Sequence, residues 1–218
     1  MRTFIFALAF LPVTLFAQGA GKTPSAQVPR LMLKTNAVIL LNPAKQAFAI
    51  GADFRVAPKF SIDASAGAFF NSTEFAYYEG ESYRGLRTRA GFKYYLIRKP
   101  NWALHLGLEA KYQDVHHLRY QEVFRQGQEY VEMLLVERNI TTYGLNSRIG
   151  WLLYFDKKHR FFFEPFTGLG YQVHQVHRNL PPDAEPIFTR GFINWEYGTG
   201  TTTMPDVLAG VHIGVVLW

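Results

Sequence analysis

Between Ala47 and Asn71 the chain alternates strictly. Phe48, Ile50, Ala52, Phe54 and Val56 share one face, and Ala47, Ala49, Gly51, Asp53 and Arg55 share the other. After Ala57-Pro58-Lys59 the alternation resumes. Phe60, Ile62, Ala64, Ala66, Ala68 and Phe70 stand against Ser61, Asp63, Ser65, Gly67 and Phe69. A period of two broken by a proline turn predicts two antiparallel strands. Each run is about ten residues, longer than the ~5–6 usual in globular sheets and equal to the ~9–11 of a tilted strand that crosses a bilayer. One face is apolar throughout; the other is small or charged.

The rest of the chain repeats the theme. Leu31–Leu41 predicts a first strand, with Leu31, Leu33, Ala37, Ile39 and Leu41 on one face and Lys34 and Asn36 on the other. Asn42–Lys45 reads as its turn and Asn71–Glu81 as a polar, aromatic loop. Further strands are predicted at Ser82–Leu96, Trp102–Tyr112, Thr141–Phe155, Phe161–Val176 and Val207–Trp218. Gln113–Asn139 reads as a long connection whose tail, Tyr130–Asn139, extends the sixth strand, and His177–Pro205 as a second long loop. Arg98–Asn101 and Asp156–Arg160 read as tight turns. The expectation is all-β: an up-and-down antiparallel barrel of about eight strands, with tight turns on one side and three longer loops on the other.

Alternation does not say which face is inside. A soluble lipocalin-like carrier also alternates, with its apolar face inward around a ligand. Three features favour apolar side chains outside and a packed polar interior. The polar faces mix charges of both signs with glycine: Asp53, Arg55, Asp63, Arg87, Arg89, Lys93, Glu109, Lys111, Arg148 and Glu164. Glycine weakens a strand unless something must approach closely. Bulky aromatics cluster at the ends of the apolar faces (Phe60, Phe70, Trp102, Tyr112, Phe155, Phe161, Tyr171), as in interfacial girdles. The final strand ends on the aromatic Trp218.

Composition sharpens this reading. The 218 residues hold 16% aromatics, no cysteine and a net charge of +6. The mean hydropathy of −0.06 excludes a helical membrane bundle, whereas alternation dilutes the apolar residues of a barrel. Without cysteine there is no disulfide, thiol catalysis or lipoprotein anchor. Met1-Arg2-Thr3 followed by the apolar run Phe4–Phe16 reads as a secretory signal peptide, residues 1–17, cut after Ala17. Residues 18–30 read as a flexible leader and 31–218 as the barrel.

The signal peptide, the opening strand with Leu33-Lys34-Thr35-Asn36, the Tyr83–Tyr95 strand and the terminal Trp218 together resemble the small eight-stranded outer-membrane barrels of the OmpX and OmpA-membrane-domain kind. They also resemble an uncharacterised barrel family of Gram-negative bacteria. The resemblance implies Sec-type export, a monomer in contact with outer-membrane lipids and lipopolysaccharide, and recognition by the barrel-assembly machinery through the last strand. Trp218 departs from the pattern: it is out of phase with Ile213, Val215 and Leu217.

An eight-stranded barrel is only wide enough to be filled by side chains, and buried charges must pair. The ten interior charges are therefore expected to form a salt-bridge network that plugs the lumen. The histidines His116, His117, His174 and His177 lack carboxylates at metal-ligand spacing and read as solvated loop residues. No cofactor is expected, no His–Ser–acid spacing points to an enzyme, and nothing points to nucleic acid. Tyr77, Tyr78, Phe188, Phe192, Trp195 and Tyr197 are candidate contacts for an extracellular partner. A structural or surface-interaction role is expected. A narrow channel, a lipid-modifying enzyme and the soluble carrier stand as the other readings.

Overall fold

The computed structural model describes residues 31–36, 47–69, 81–156, 158–187 and 199–217. Among the described residues there are nine strands: β1 (Leu31–Asn36), β2 (Ala47–Ala57), β3 (Phe60–Phe69), β4 (Ser82–Lys99), β5 (Trp102–Arg125), β6 (Tyr130–Tyr154), β7 (Phe161–Asn179), β8 (Glu185–Pro186) and β9 (Gly200–Val216). Among the described residues no helix is long and apolar enough to cross a membrane, which says nothing of a crossing by strands.

Eight of these strands form a closed ring. Each pairs antiparallel with its neighbours in chain order, and β1 closes the ring by pairing with both β2 and β9, Met32 standing opposite Asp53 and Val216. Pro58 and Lys59 join β2 to β3, Pro100 and Asn101 join β4 to β5, and Phe155–Arg160 join β6 to β7, so the tight turns share one end. The start of β1 and the end of β9 lie at that end too, where the Leu217 amide donates to the Leu31 carbonyl at 3.0 Å. Two bulges sit beside these turns, between Arg55 and Ala57 and between Tyr95 and Ile97. Each inserts one residue and re-aims the side chains beyond it. The second turns Arg98 into register with inward-facing Ala103.

One predicted loop is strand. β5 and β6 pair without interruption to Arg125 opposite Tyr130, so Gln113–Asn139 is not an irregular connection. Only Gln126–Glu129 turn, with Gln126, Gly127 and Gln128 at positive φ. The sequence hides this strand because the arm loses its apolar face: Asp114, His116 and Glu122 interrupt it. β4 leaves the arm at Leu118 and β7 leaves it at Glu137; beyond them, among the described residues, β8 is the further strand paired with the hairpin, at Val123 and Phe124. β7 likewise runs to Asn179, and β9 begins at Gly200, so both ends of the predicted His177–Pro205 loop are strand. The predicted turn Asn42–Lys45, the leader and the signal segment with Ala17, and Trp218 lie outside the described residues.

Burial settles the sign of the alternation. Outward positions are apolar and exposed: Phe54, Phe92, Leu106, Leu145, Trp151, Leu169 and Val207 among others. Inward positions include Lys34, Asp53, Asp63, Lys93, Glu109, Arg148 and Glu164, all buried. This is the reverse of the soluble-carrier pattern, which requires apolar side chains inside.

Candidate functional site

The interior is built in three layers, legible along β5. Ala103 belongs to an apolar cluster with Met32, Tyr95, Leu152 and Phe162 at the turn end. His105, Gly107, Glu109, Lys111 and Gln113 come next. Val115 then joins a second apolar cluster with Ala47 and Phe69, packed by Tyr83 and Ile140. The charged layer therefore lies between two apolar clusters. A low local dielectric strengthens every ion pair inside and raises the cost of any charge left alone.

At its centre four carboxylates meet four cations. Lys93 Nζ lies 2.6 Å from both Asp53 and Glu164 and 3.4 Å from Asp63. Lys34 pairs with Asp63 and sits 3.9 Å from Glu164. Arg148 bridges Asp63 and Glu109, at 2.9 Å to the latter, and Arg89 reaches Glu109 at 3.3 Å. Glu164 also meets His105 at 2.8 Å and His212 at 3.2 Å. Toward the loop end Lys111 pairs with Asp206 at 2.5 Å and donates to Gln172 at 2.6 Å.

Of the ten charges singled out from the sequence, all face inward, and eight stand in these ion pairs. Arg55 and Arg87 do not. Each lies on an aromatic ring, Arg55 4.8 Å from the centre of Tyr95 and Arg87 5.4 Å from that of Phe69. The network also holds Lys34, His105, Asp206 and His212, which sequence reasoning did not single out, although the period-two phase of their strands places all four on the inward face.

The glycines obey the same logic. A Cβ on Gly107 would stand 3.0 Å from Arg148 Nε, one on Gly51 3.1 Å from Lys34 Cε, one on Gly144 3.1 Å from Lys111 Cε, and one on Gly150 2.8 Å from the His105 ring. Each of these glycines sits under a long inward side chain.

The histidines are strand residues rather than loop residues. His116 faces out, 2.6 Å from the Asn139 side chain, and His117 packs edge-on against Tyr83. His174 is buried 2.9 Å from the Thr142 hydroxyl, and His177 is exposed. Among the described residues no group of three or more His, Cys, Asp or Glu could hold a metal ion. Tyr77, Tyr78, Phe188, Phe192, Trp195 and Tyr197 lie outside the described residues.

At the turn end Asp156 accepts from the Arg160 and Phe161 amides at 2.6 and 3.1 Å and faces the Arg160 guanidinium at 3.4 Å. Desolvation pushes its carboxyl up, but these donors outweigh it and hold it below the usual carboxylate range.

Residues 5–184 match the family described as "Protein of unknown function (DUF3575)". The chain belongs to this family. The DUF3575 match takes in β1–β7 and ends at Ala184, so β9, which closes the ring, lies beyond it. Comparison with curated proteins gives no match.

Proposed function

We propose that this DUF3575 protein is a small outer-membrane β-barrel with a plugged lumen and a structural or surface-interaction role. The observation that carries the reading is the inverted burial: on strand after strand the apolar side chains are outside and the charges inside. A long band of exposed Phe, Leu, Ile and Val is a liability in water and a requirement in lipid. Its height is right. Tyr112 and Trp102, each at one end of the apolar face of β5, are ten positions apart. At ~3.4 Å per residue and a tilt of ~40° this is about 26 Å, against a barrel's apolar band of ~25 Å. Exposed aromatics rim both ends: Phe60, Phe155 and Phe161 by the turns, and Tyr112, Tyr143 and Tyr171 by the loops.

In this placement the signal segment is cut after Ala17, and the assembly machinery reads the last strand with Trp218. The monomeric barrel sits in phospholipid and lipopolysaccharide, with the tight turns in the periplasm and the β5–β6 arm outside. The arm supports the surface-interaction part of the role. Its outward face turns apolar again beyond the polar stretch around His116 and Asn139, with Val131, Met133 and Leu135 exposed. Together with the aromatic stretches around Tyr77 and Trp195 it is the surface on which an extracellular partner is expected.

The test is fractionation and then a denaturing gel with and without boiling. An outer-membrane band that shifts on boiling is expected. A soluble periplasmic protein with no shift would overturn the placement. Planar bilayers separate the plugged barrel from the channel, since two apolar caps and a filled charged layer predict no stepwise current.

A further inference from the structure

The central network is electrically closed: Asp53, Asp63, Glu109 and Glu164 against Lys34, Arg89, Lys93 and Arg148. Arg55 is left over. It is 8% exposed, and Nε, Nη1 and Nη2 all lack a hydrogen-bond partner. It lies over the face of Tyr95, and a ring face offsets only part of the cost of burying a guanidinium. A second guanidinium lies against the same ring. Arg98, turned inward by the bulge before it, stands 5.6 Å from the Tyr95 centre. Two like charges on one ring, with no carboxylate bonded to either, define an unfilled anion position.

The surroundings agree. Arg98 is exposed and donates to the Pro58 carbonyl at 2.7 Å, so it stands at the solvent side of the Tyr95 ring. The turns around this mouth carry Lys59, Lys99, Lys158 and Arg160, all exposed, against Asp156, whose carboxylate already engages Arg160. A rim of one sign concentrates counter-ions at the mouth. One guanidinium fork satisfies a carboxylate, whereas two forks suit a tetrahedral oxyanion of higher charge.

We propose that the turn-end mouth of the ring binds an oxyanion of the phosphate class through Arg55 and Arg98. The oxyanion comes either from free phosphate or from the headgroup of an anionic phospholipid.

The test uses the full chain refolded in zwitterionic detergent. Calorimetric titration with inorganic phosphate, at ionic strength held constant with chloride, should show saturable binding. Arg98→Gln should weaken it about tenfold or more, the worth of one charge-assisted contact. Arg55→Gln should abolish it, and the rim variant Arg160→Gln should leave it near wild type. Arg98 lies outside the buried network, so R98Q decides the matter if R55Q does not fold. A second arm, without phosphate, compares phosphatidylcholine vesicles with and without phosphatidylglycerol. An increase in the unfolding midpoint that needs both phosphatidylglycerol and Arg98 assigns the lipid headgroup as source; saturable binding in detergent assigns the free anion. Absence of an Arg98-dependent effect in both arms, or equal losses in R98Q and R160Q, overturns the site. Neither loss depends on where in the cell the barrel resides.

Discussion

Replacing Glu164 by glutamine removes one charge from a closed layer while leaving its volume almost unchanged. Glu164 is 0% exposed and has Lys93 and His105 within 2.8 Å, His212 at 3.2 Å and Lys34 at 3.9 Å. In the variant, Lys93 keeps Asp53 and Asp63, and Lys34 keeps Asp63, so no lysine is stripped of every partner. The layer nevertheless holds one cation too many between two apolar clusters. Removing one member of a buried pair costs about 3–5 kcal/mol, because the remaining charge is uncompensated. E164Q should therefore lower the unfolding free energy in urea by about 3 kcal/mol, the low end, since the lysines share other carboxylates. The assay is equilibrium unfolding in phosphatidylcholine vesicles, monitored by tryptophan fluorescence and by the gel shift. Lys34→Met in the E164Q background restores neutrality and leaves Asp63 its Lys93 and Arg148 partners, so the double variant should recover part of the loss, a coupling of roughly 1–3 kcal/mol. A loss under about 1 kcal/mol, the size seen for exposed pairs, would refute a sealed, low-dielectric interior.

The same geometry has other consequences. Gly107→Ala brings a methyl to 3.0 Å from Arg148 Nε and should cost about 1–3 kcal/mol in the same unfolding assay, as overpacking does, while Gly127→Ala meets open space but a left-handed backbone and should cost about 1 kcal/mol through conformation alone. The Asp156 carboxylate is held below its usual range, so its contribution is present above the unfolded-state pKa and is lost as pH falls through the lower folded-state value. Amide exchange at Phe161 and Arg160, corrected for its intrinsic pH dependence, should lose protection only below the ordinary carboxylate range, and Asp156→Ala should abolish that dependence. Replacing Arg119–Val136 by a short turn should leave a ring that still shifts on boiling, because β4 and β7 pair with the arm only as far as Leu118 and Glu137. Loss of the shift would show that the arm is part of the closed structure.

Period-two alternation is a local property. It sufficed to place β2, β3 and the body of β5, and to assign the inward phase of Asp53, Asp63, Lys93, Glu109, Arg148 and Glu164. It also explained the inward glycines, since a side chain as long as Lys34 or Arg148 needs a gap on the strand beside it. The alternation failed where its cause disappears. Beyond Tyr112 the arm has no continuous apolar face, so Gln113–Asn139 lost the signal that marks a strand, although the backbone pairing runs on to Arg125. Which cation meets which carboxylate was not legible either. Lys34 and Asp63 are 29 residues apart and Arg148 and Asp63 are 85 apart, and they meet only because β1 pairs with both β2 and β9 and so closes the ring. The two apolar caps obey the same rule. Met32 and Phe162, or Phe69 and Val115, become neighbours through register across strands distant in sequence. The sequence alone determined which side chains share a face, because that depends only on parity along a strand between bulges; burial in the ring decided which face is inside. The tertiary structure decided the partners, the caps and the solitude of Arg55, because those depend on closure and register.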